Sequence, residues 1–298
     1  MILITGATGT IGNEVSQLLA RQGANVRAMT RDPSRARMPA GIDVVSGDFE
    51  HPDSLRHAAE GASAVFLLTA PGAWIPEHDR AMLHAARVAG VQKVVKLSAI
   101  GTGTTNDSTD RRPGNWHLPG EQALQESDMA WTLLRPSSFA SNARRWADAI
   151  RNGKPVPNMT GTGTQGVVDP RDVAAAAAEA LISDKHNGQI YTLTGPDLLS
   201  VPDQVARLAD ELGHPIETVD VPLDVARQQM LAAGVDSSVV EVAIIGAELT
   251  RAGGNATLTN DVERALARPA HTFQSWVRAH RDAFARSRTA DSSGRLPD

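Results

Sequence analysis

The first half of the chain alternates short apolar runs with longer amphipathic stretches. Residues 2–5, Ile-Leu-Ile-Thr, suit a buried strand. Residues 11–22 follow with Ile11, Val15, Leu18 and Leu19 at helical spacing, and Gly23 closes them. The pattern then repeats. Residues 25–30, 43–46, 64–68, 94–97 and 131–134 read as strands; 52–60 and 76–89 read as helices, the second closed by Gly90. Apolar strands separated by helices make βαβ units with parallel strands covered on both faces. Right-handed crossovers wind such units into a doubly wound α/β sheet.

Past Pro136 the strict alternation breaks down. An Ala-rich helix at 173–182 and a strand at 189–194 return to the sheet, while helices at 201–212, 221–233 and 272–284 build a smaller lobe over the carboxyl ends of the strands. The expected organisation is a dinucleotide-binding domain of residues 1–135 plus 167–195, a substrate lobe of 136–166 and 196–285, and a polar, flexible tail at 286–298. Thr, Asn, Asp, Ser, Arg, Pro and Gly dominate residues 101–119, which is loop chemistry and leaves open a mobile lid.

Composition narrows the function classes. The 298 residues carry a net charge of −5, with 41% hydrophobic and 21% charged residues, which is ordinary globular composition and excludes general disorder. An acidic balance argues against a nucleic-acid partner. The absence of Cys excludes disulfides, thiolate catalysis and thiolate-bound metals. No apolar run reaches the roughly 18 residues of a membrane span, and no leader pattern precedes the first strand, so a complete cytoplasmic protein without a membrane partner is expected. No metal is expected: there is no His-x-x-x-His, and Asp107 and Asp110 stand beside Arg111 and Arg112 in a solvated loop. No Gly-x-Ser-x-Gly nucleophile turn occurs either.

The strongest motif is Gly6-Ala-Thr8-Gly9-Thr10-Ile11-Gly12, between the first strand and the first helix. Glycines at this spacing permit a tight turn, close approach of backbone to a pyrophosphate, and packing of helix on strand; the helix N-terminus faces the phosphates. This predicts a Rossmann-type dinucleotide site. A second glycine series, Gly161-Thr-Gly163-Thr-Gln-Gly166, has no strand before it and reads as a hairpin or loop. The second strand ends at Thr30-Arg31, where enzymes selective for NAD usually place an acid on the ribose 2′-hydroxyl. Arg31, with Arg35 behind it, suits a 2′-phosphate, so NADPH is expected over NADH. Asp32-Pro33 reads as a turn. Asp48 either accepts from the adenine amino group or caps a helix, with Phe49 near the ring. Thr69, Ala70 and Pro71, together with Leu97, Pro136 and Ser137, complete the cofactor groove at the strand ends.

With these residues in hand, the chain resembles the NmrA-like, atypical branch of the short-chain dehydrogenase/reductases, including its quinone-reductase-like members. The resemblance rests on Gly6–Gly12, Arg31-Asp-Pro33, Gly47-Asp48, Ala89-Gly90-Val91, Trp131-Thr-Leu-Leu-Arg135-Pro136, Arg171-Asp172-Val173-Ala174, Leu193-Thr-Gly195-Pro196 and Asp261-Val-Glu263, and covers residues 1–285. It implies an NAD(P)H-dependent reductase. It also implies a departure, because ordinary members use a Tyr-x-x-x-Lys pair, and the single Tyr, Tyr191, lies in a late strand. His117 and Glu121 stand at the matching positions, interrupted by Pro119-Gly120, which is poor helix interior. The resemblance gives Ser98 the role of holding the substrate carbonyl and makes His117 the candidate proton donor or substrate contact. Trp74, Trp116, Phe139, Trp146 and Met159 are either core or an apolar substrate wall. The expected reaction is hydride transfer to a ketone or quinone on an apolar, aromatic-polyketide-type substrate by a monomer or homodimer. The alternative is an NADP(H)-sensing protein without turnover, which the same glycine motif would serve.

Overall fold

Ile2–Ile4, buried at all three positions, forms β1. The computed structural model describes residues 1–103 and 113–285; Asp107, Asp110, Arg111, Arg112 and the tail at 286–298 lie outside the described residues. After β1 come α1 (Thr10–Arg21), β2 (Val26–Thr30), β3 (Asp43–Ser46), α2 (Pro52–Ala59), β4 (Ala64–Leu67), α3 (Ile75–Val88), β5 (Lys93–Leu97), α4 (Leu118–Gln125) and β6 (Ala130–Leu134). The second half adds α5 (Ala147–Arg151), β7 (Val156–Asn158), β8 (Gln165–Gly166), α6 (Pro170–Ile182), β9 (Gln189–Tyr191), β10 (Leu198–Leu199) and α7 (Val201–Leu212). It closes with β11 (Thr218–Asp220), α8 (Leu223–Ala232), α9 (Ser237–Arg251), α10 (Asp261–Leu266) and α11 (Phe273–Ala279).

Among the described residues, seven strands pair in the order β3-β2-β1-β4-β5-β6-β9, every pair parallel. Alternate side chains of each strand feed two cores. Ile4, Phe66 and Val95 pack with Val15 and Leu19 of α1 and with the alanines of α6. Leu3, Val65 and Val94 pack with Leu55 of α2, Met82 of α3 and Leu124 of α4. Burying each such Leu, Val or Phe stabilises the fold by about 1.5–3 kcal/mol. The small residues at Ala174, Ala177 and Ala178 let α6 lie directly against α1. Strand order reverses at β1 and β4, and such a switch point opens a crevice at the carboxyl ends.

A third core gathers Ile150, Val205, Leu208, Phe273 and Trp276 between α5, α7 and α11. The Ser200–Asp203 capping box starts α7, and Gly213, at φ +76°, ends it. A small fourth cluster of Ala226, Val240 and Ile244 supports the α8–α9 pair, and α9 packs on the short helical turn at 113–117.

The hydrophobic pattern places β1–β6 and α1–α3 within two residues but does not place α4. It does not anticipate α9, whose Val and Ile residues carry strand preference and whose Gly246 interrupts a helical reading. The helix expected at 272–284 stops at Ala279, followed by a separate turn at Arg281–Ala283. Residues 101–119 are not all loop: 113–117 is helical and α4 begins at Leu118.

Candidate active site

The turn after β1 is set by glycine. Gly6 takes φ +61°, open to glycine without strain. A Cβ on Gly12 would lie 2.3 Å from the Gly6 carbonyl oxygen, so α1 packs against the turn only with hydrogen at that position. Gly9 stands at the N-cap of α1, where no side chain accepts from the helix and the first turn holds no acid. The amides of that turn lack i−4 partners, and Thr8, Gly9 and Thr10 are exposed while Ile11 and Gly12 are buried. This is a cradle of unspent donors at the positive end of a helix.

Beyond β2, Arg31 and Arg35 are exposed, and among the described residues neither has a carboxylate partner. The neighbouring acid is spent: Asp32 accepts from the Ser34 amide at 3.0 Å and from its hydroxyl. Asp48 does not cap α2, whose N-cap is His51; its carboxylate accepts from the Glu50 amide at 3.1 Å. Phe49 stacks on His78 of α3 at 5.2 Å. Ala70 and Pro71 are exposed, and the Trp74 indole donates to the Ala70 carbonyl at 3.0 Å and lies over Gly72. Leu97 packs partly buried against the sheet core, and Pro136 is buried. The Ser137 hydroxyl is buried without a partner. A buried orphan hydroxyl, an uncapped helix and a turn closed to any Cβ fit a bound dinucleotide.

Two polar chains meet at the start of α4. In the first, Asp79 of α3 and Lys96 of β5, both fully buried, pair at 2.6 Å. The Thr69 hydroxyl donates to the other Asp79 oxygen at 2.7 Å, and Lys96 Nζ stands 3.2 Å from Nδ1 of His117. Burial and the adjacent ammonium push the His117 imidazole well below its usual range, so the ring is neutral. In the second chain, buried Glu121 accepts from Ser98 and from Nε of Arg135 at 3.0 Å, and its other oxygen pairs with Arg135 Nη2. Ser98 also stands 3.1 Å from the Thr102 hydroxyl.

Ser98 donates its proton to Glu121 and so holds that carboxylate. Pro119 and Gly120 do not interrupt a helix; they form the first turn of α4. A Cβ at Gly120 would lie 2.3 Å from Asp79 Oδ2, so glycine lets α4 close over the buried pair. Sequence reasoning missed Asp79, Lys96 and Arg135. Lys96 inside a strand and Arg135 directly after one were the available signal, since an unpaired charge does not stay buried.

The five candidate wall residues join different clusters. Trp74 lies at the 69–72 loop, and Trp116 is half-buried in the 113–117 turn. Phe139 bridges to Val168 and packs on the sheet. Trp146 packs on the lobe core, and Met159 on the α8–α9 cluster. The second glycine series holds backbone against backbone: a Cβ on Gly163 would meet the Thr250 carbonyl at 2.3 Å, and one on Gly166 the Thr257 carbonyl at 2.7 Å.

Residues 6–184 match the model of a family described as NAD(P)H-binding. The chain belongs to this family. Within the NAD(P)H-binding family it is an NAD(P)H-dependent oxidoreductase of the NmrA-like, atypical short-chain type. It is 37% identical over 288 residues to the (4-alkanoyl-5-oxo-2,5-dihydrofuran-3-yl)methyl phosphate reductase of Streptomyces griseus subsp. griseus, covering 96% of this chain and 99% of that protein. It is 33% identical over 289 residues to an NAD(P)H azoreductase of Xenophilus azovorans, covering 95% of this chain and 99% of that protein. Among solved structures, an NADPH-dependent quinone oxidoreductase of Escherichia coli complexed with NADPH superposes with a TM-score of 0.83 at 23% identity, over 95% of this chain and 100% of that one. That likeness shows the shared fold. Among the described residues, no helix is long and apolar enough to cross a membrane.

Proposed function

We propose that this chain uses NADPH to reduce an apolar small molecule carrying a quinone, or a ketone conjugated to an unsaturated or aromatic system such as an aromatic polyketide. The observation that carries this reading is the uncapped glycine cradle of α1, set at the same strand ends as a neutral histidine. An alkanoyl-oxo-dihydrofuran, an azo bond and a quinone, named for the relatives, share an unsaturated bond made electron-poor by its neighbours.

Bound NADPH supplies a hydride from C4 of its nicotinamide. The chain's own residues hold and orient the reactants. The Gly6–Gly12 turn and the first amides of α1 grip the pyrophosphate, and Ser137 gains a partner at the nicotinamide end. His117 donates a hydrogen bond to the substrate oxygen. Positioning of this kind accounts for several kcal/mol of barrier lowering, on the order of 7–11 in the most favourable cases.

Arg31 and Arg35, without a carboxylate partner among the described residues, support a 2′-phosphate. Arg31→Ala is expected to lower the NADPH-to-NADH ratio of kcat/KM by about tenfold or more, the scale of one charge-assisted hydrogen bond. An unchanged ratio would remove Arg31 from the phosphate site.

The reaction is tested with NADPH deuterated at C4 and a panel of quinones, aromatic ketones, acyl-dihydrofuranones and azo dyes, read by mass spectrometry. Deuterium kept on a product carbon identifies ketone or alkene reduction; consumption of NADPH without retained label identifies quinone or azo chemistry. Tight NADPH binding with no turnover of any acceptor overturns the reductase reading in favour of an NADP(H) sensor.

A further inference from the structure

We infer that Lys96, anchored by Asp79 and Thr69, is a positioning residue that fixes His117 as the Nε2–H tautomer and presents this N–H as a permanent hydrogen-bond donor to the reacting oxygen. The inference rests on the reductase reading above and adds to it the residues that set the donor.

An ammonium has three donors and no acceptor. Around Nζ stand Asp79 Oδ2 at 2.6 Å, His117 Nδ1 at 3.2 Å and the Leu97 carbonyl at 3.5 Å. Whichever ring nitrogen faces an ammonium must accept, so the proton of a neutral imidazole resides on the other nitrogen. Among the described residues that nitrogen, Nε2, has no protein partner. The ion pair cannot rotate away: Asp79 is held by Thr69 on one side and closed over by Gly120 on the other.

The elements packed around His117 bring several charges. Asp79 lies on α3, Glu121 on α4, and Glu241, Glu248 and Arg251 on α9. Glu121 is committed to Arg135, Glu241 to Arg227, and Arg251 to the carbonyls of Met159 and Val221. Among the described residues, Lys96 is the charge in contact with the ring. It withdraws electron density through Nδ1, which makes Nε2–H the stronger donor.

Bound NADPH would supply a hydride to a substrate carbon and leave as NADP+; as the π pair of the carbonyl or conjugated system moved onto oxygen, His117 Nε2–H would meet the new charge. The balancing proton comes from water. His117 is thus a catalytic residue that keeps its own proton, and Lys96, Asp79 and Thr69 act through it. Removing one such donor from an oxyanion costs about 100–1,000-fold in kcat.

The test pairs long-range 1H–15N spectra of histidine-labelled protein with steady-state kinetics. The His117 signals are assigned by their loss in His117→Gln. The expected wild-type spectrum shows Nε2–H with no titration from pH 5.5 to 8, while kcat is flat over that range. Lys96→Met alone leaves Asp79 buried without a partner and risks misfolding, so the main variant is Lys96→Met with Asp79→Leu, which removes both charges together. It should show mixed tautomers and a titrating His117, with kcat lowered severalfold and no longer flat with pH, and the Kd for NADPH unchanged. An Nδ1–H tautomer in the wild type, or full kcat in the double variant, overturns the inference. The spectra are read on the protein itself, so they judge the tautomer even where every acceptor fails and the reductase reading falls.

Discussion

Gly12→Val is expected to weaken NADPH binding by about two to four orders of magnitude. Even the first carbon of any side chain here would lie 2.3 Å from the Gly6 carbonyl oxygen and 2.7 Å from its carbon. Real contacts do not close to those distances, so the turn must open and carry the N-terminus of α1 away from it. The lost groups are backbone amides that no other residue replaces. Each charge-assisted bond to a phosphate is worth about 1.5–3 kcal/mol, so losing two raises Kd by about 100- to 10,000-fold. Fluorescence titration of NADPH measures the loss, and circular dichroism checks that the sheet survives. A Kd within a few-fold of wild type would mean that the turn does not hold the pyrophosphate.

Glu121→Ala is expected to cost about 3–5 kcal/mol of stability. Glu121 is fully buried, and it neutralises Arg135 while accepting from Ser98. Its removal strands a guanidinium that is only 21% exposed, together with a buried hydroxyl. Breaking a buried pair on one side typically costs about 3–5 kcal/mol, a large fraction of the 5–15 kcal/mol that holds a folded domain. Urea denaturation is expected to show a midpoint far below wild type with little change in slope. Glu121→Gln, which keeps the shape and the bond from Ser98, should lose less. A midpoint unmoved by Glu121→Ala would show that Arg135 reaches water without strain.

The sheet was legible because its code is local. Ala64–Leu67 is apolar at every position, as a strand covered on both faces must be, and glycines stand at the helix ends they terminate. The cradle was legible for the same reason: Gly6, Gly9 and Gly12 lie in one turn, and their chemistry is that of their own backbone. The chains around His117 were not. Thr69, Asp79, Lys96 and His117 come from four separate segments that only the crossovers bring together. Taken alone, Lys96 in a strand looks like a solvent-facing charge, and Gly120 looks like a defect in a helix. Their meaning is mutual, since glycine makes room for the carboxylate that the lysine needs. The partner of Ser98 was equally out of reach of local reading, since the carboxylate that accepts from it lies 23 residues away.

The buried Lys96–Asp79 pair has a counterpart in the exposed Arg31 and Arg35. Dissolved ions surround the two arginines and weaken their pull over a Debye length of about 8 Å at physiological ionic strength. The same ions do not enter the protein interior, where the ammonium finds its acceptors without water. If the two arginines hold the 2′-phosphate as proposed, added salt acts on that end and spares the other: the KM for NADPH climbs, while the turnover of bound reactants keeps its rate.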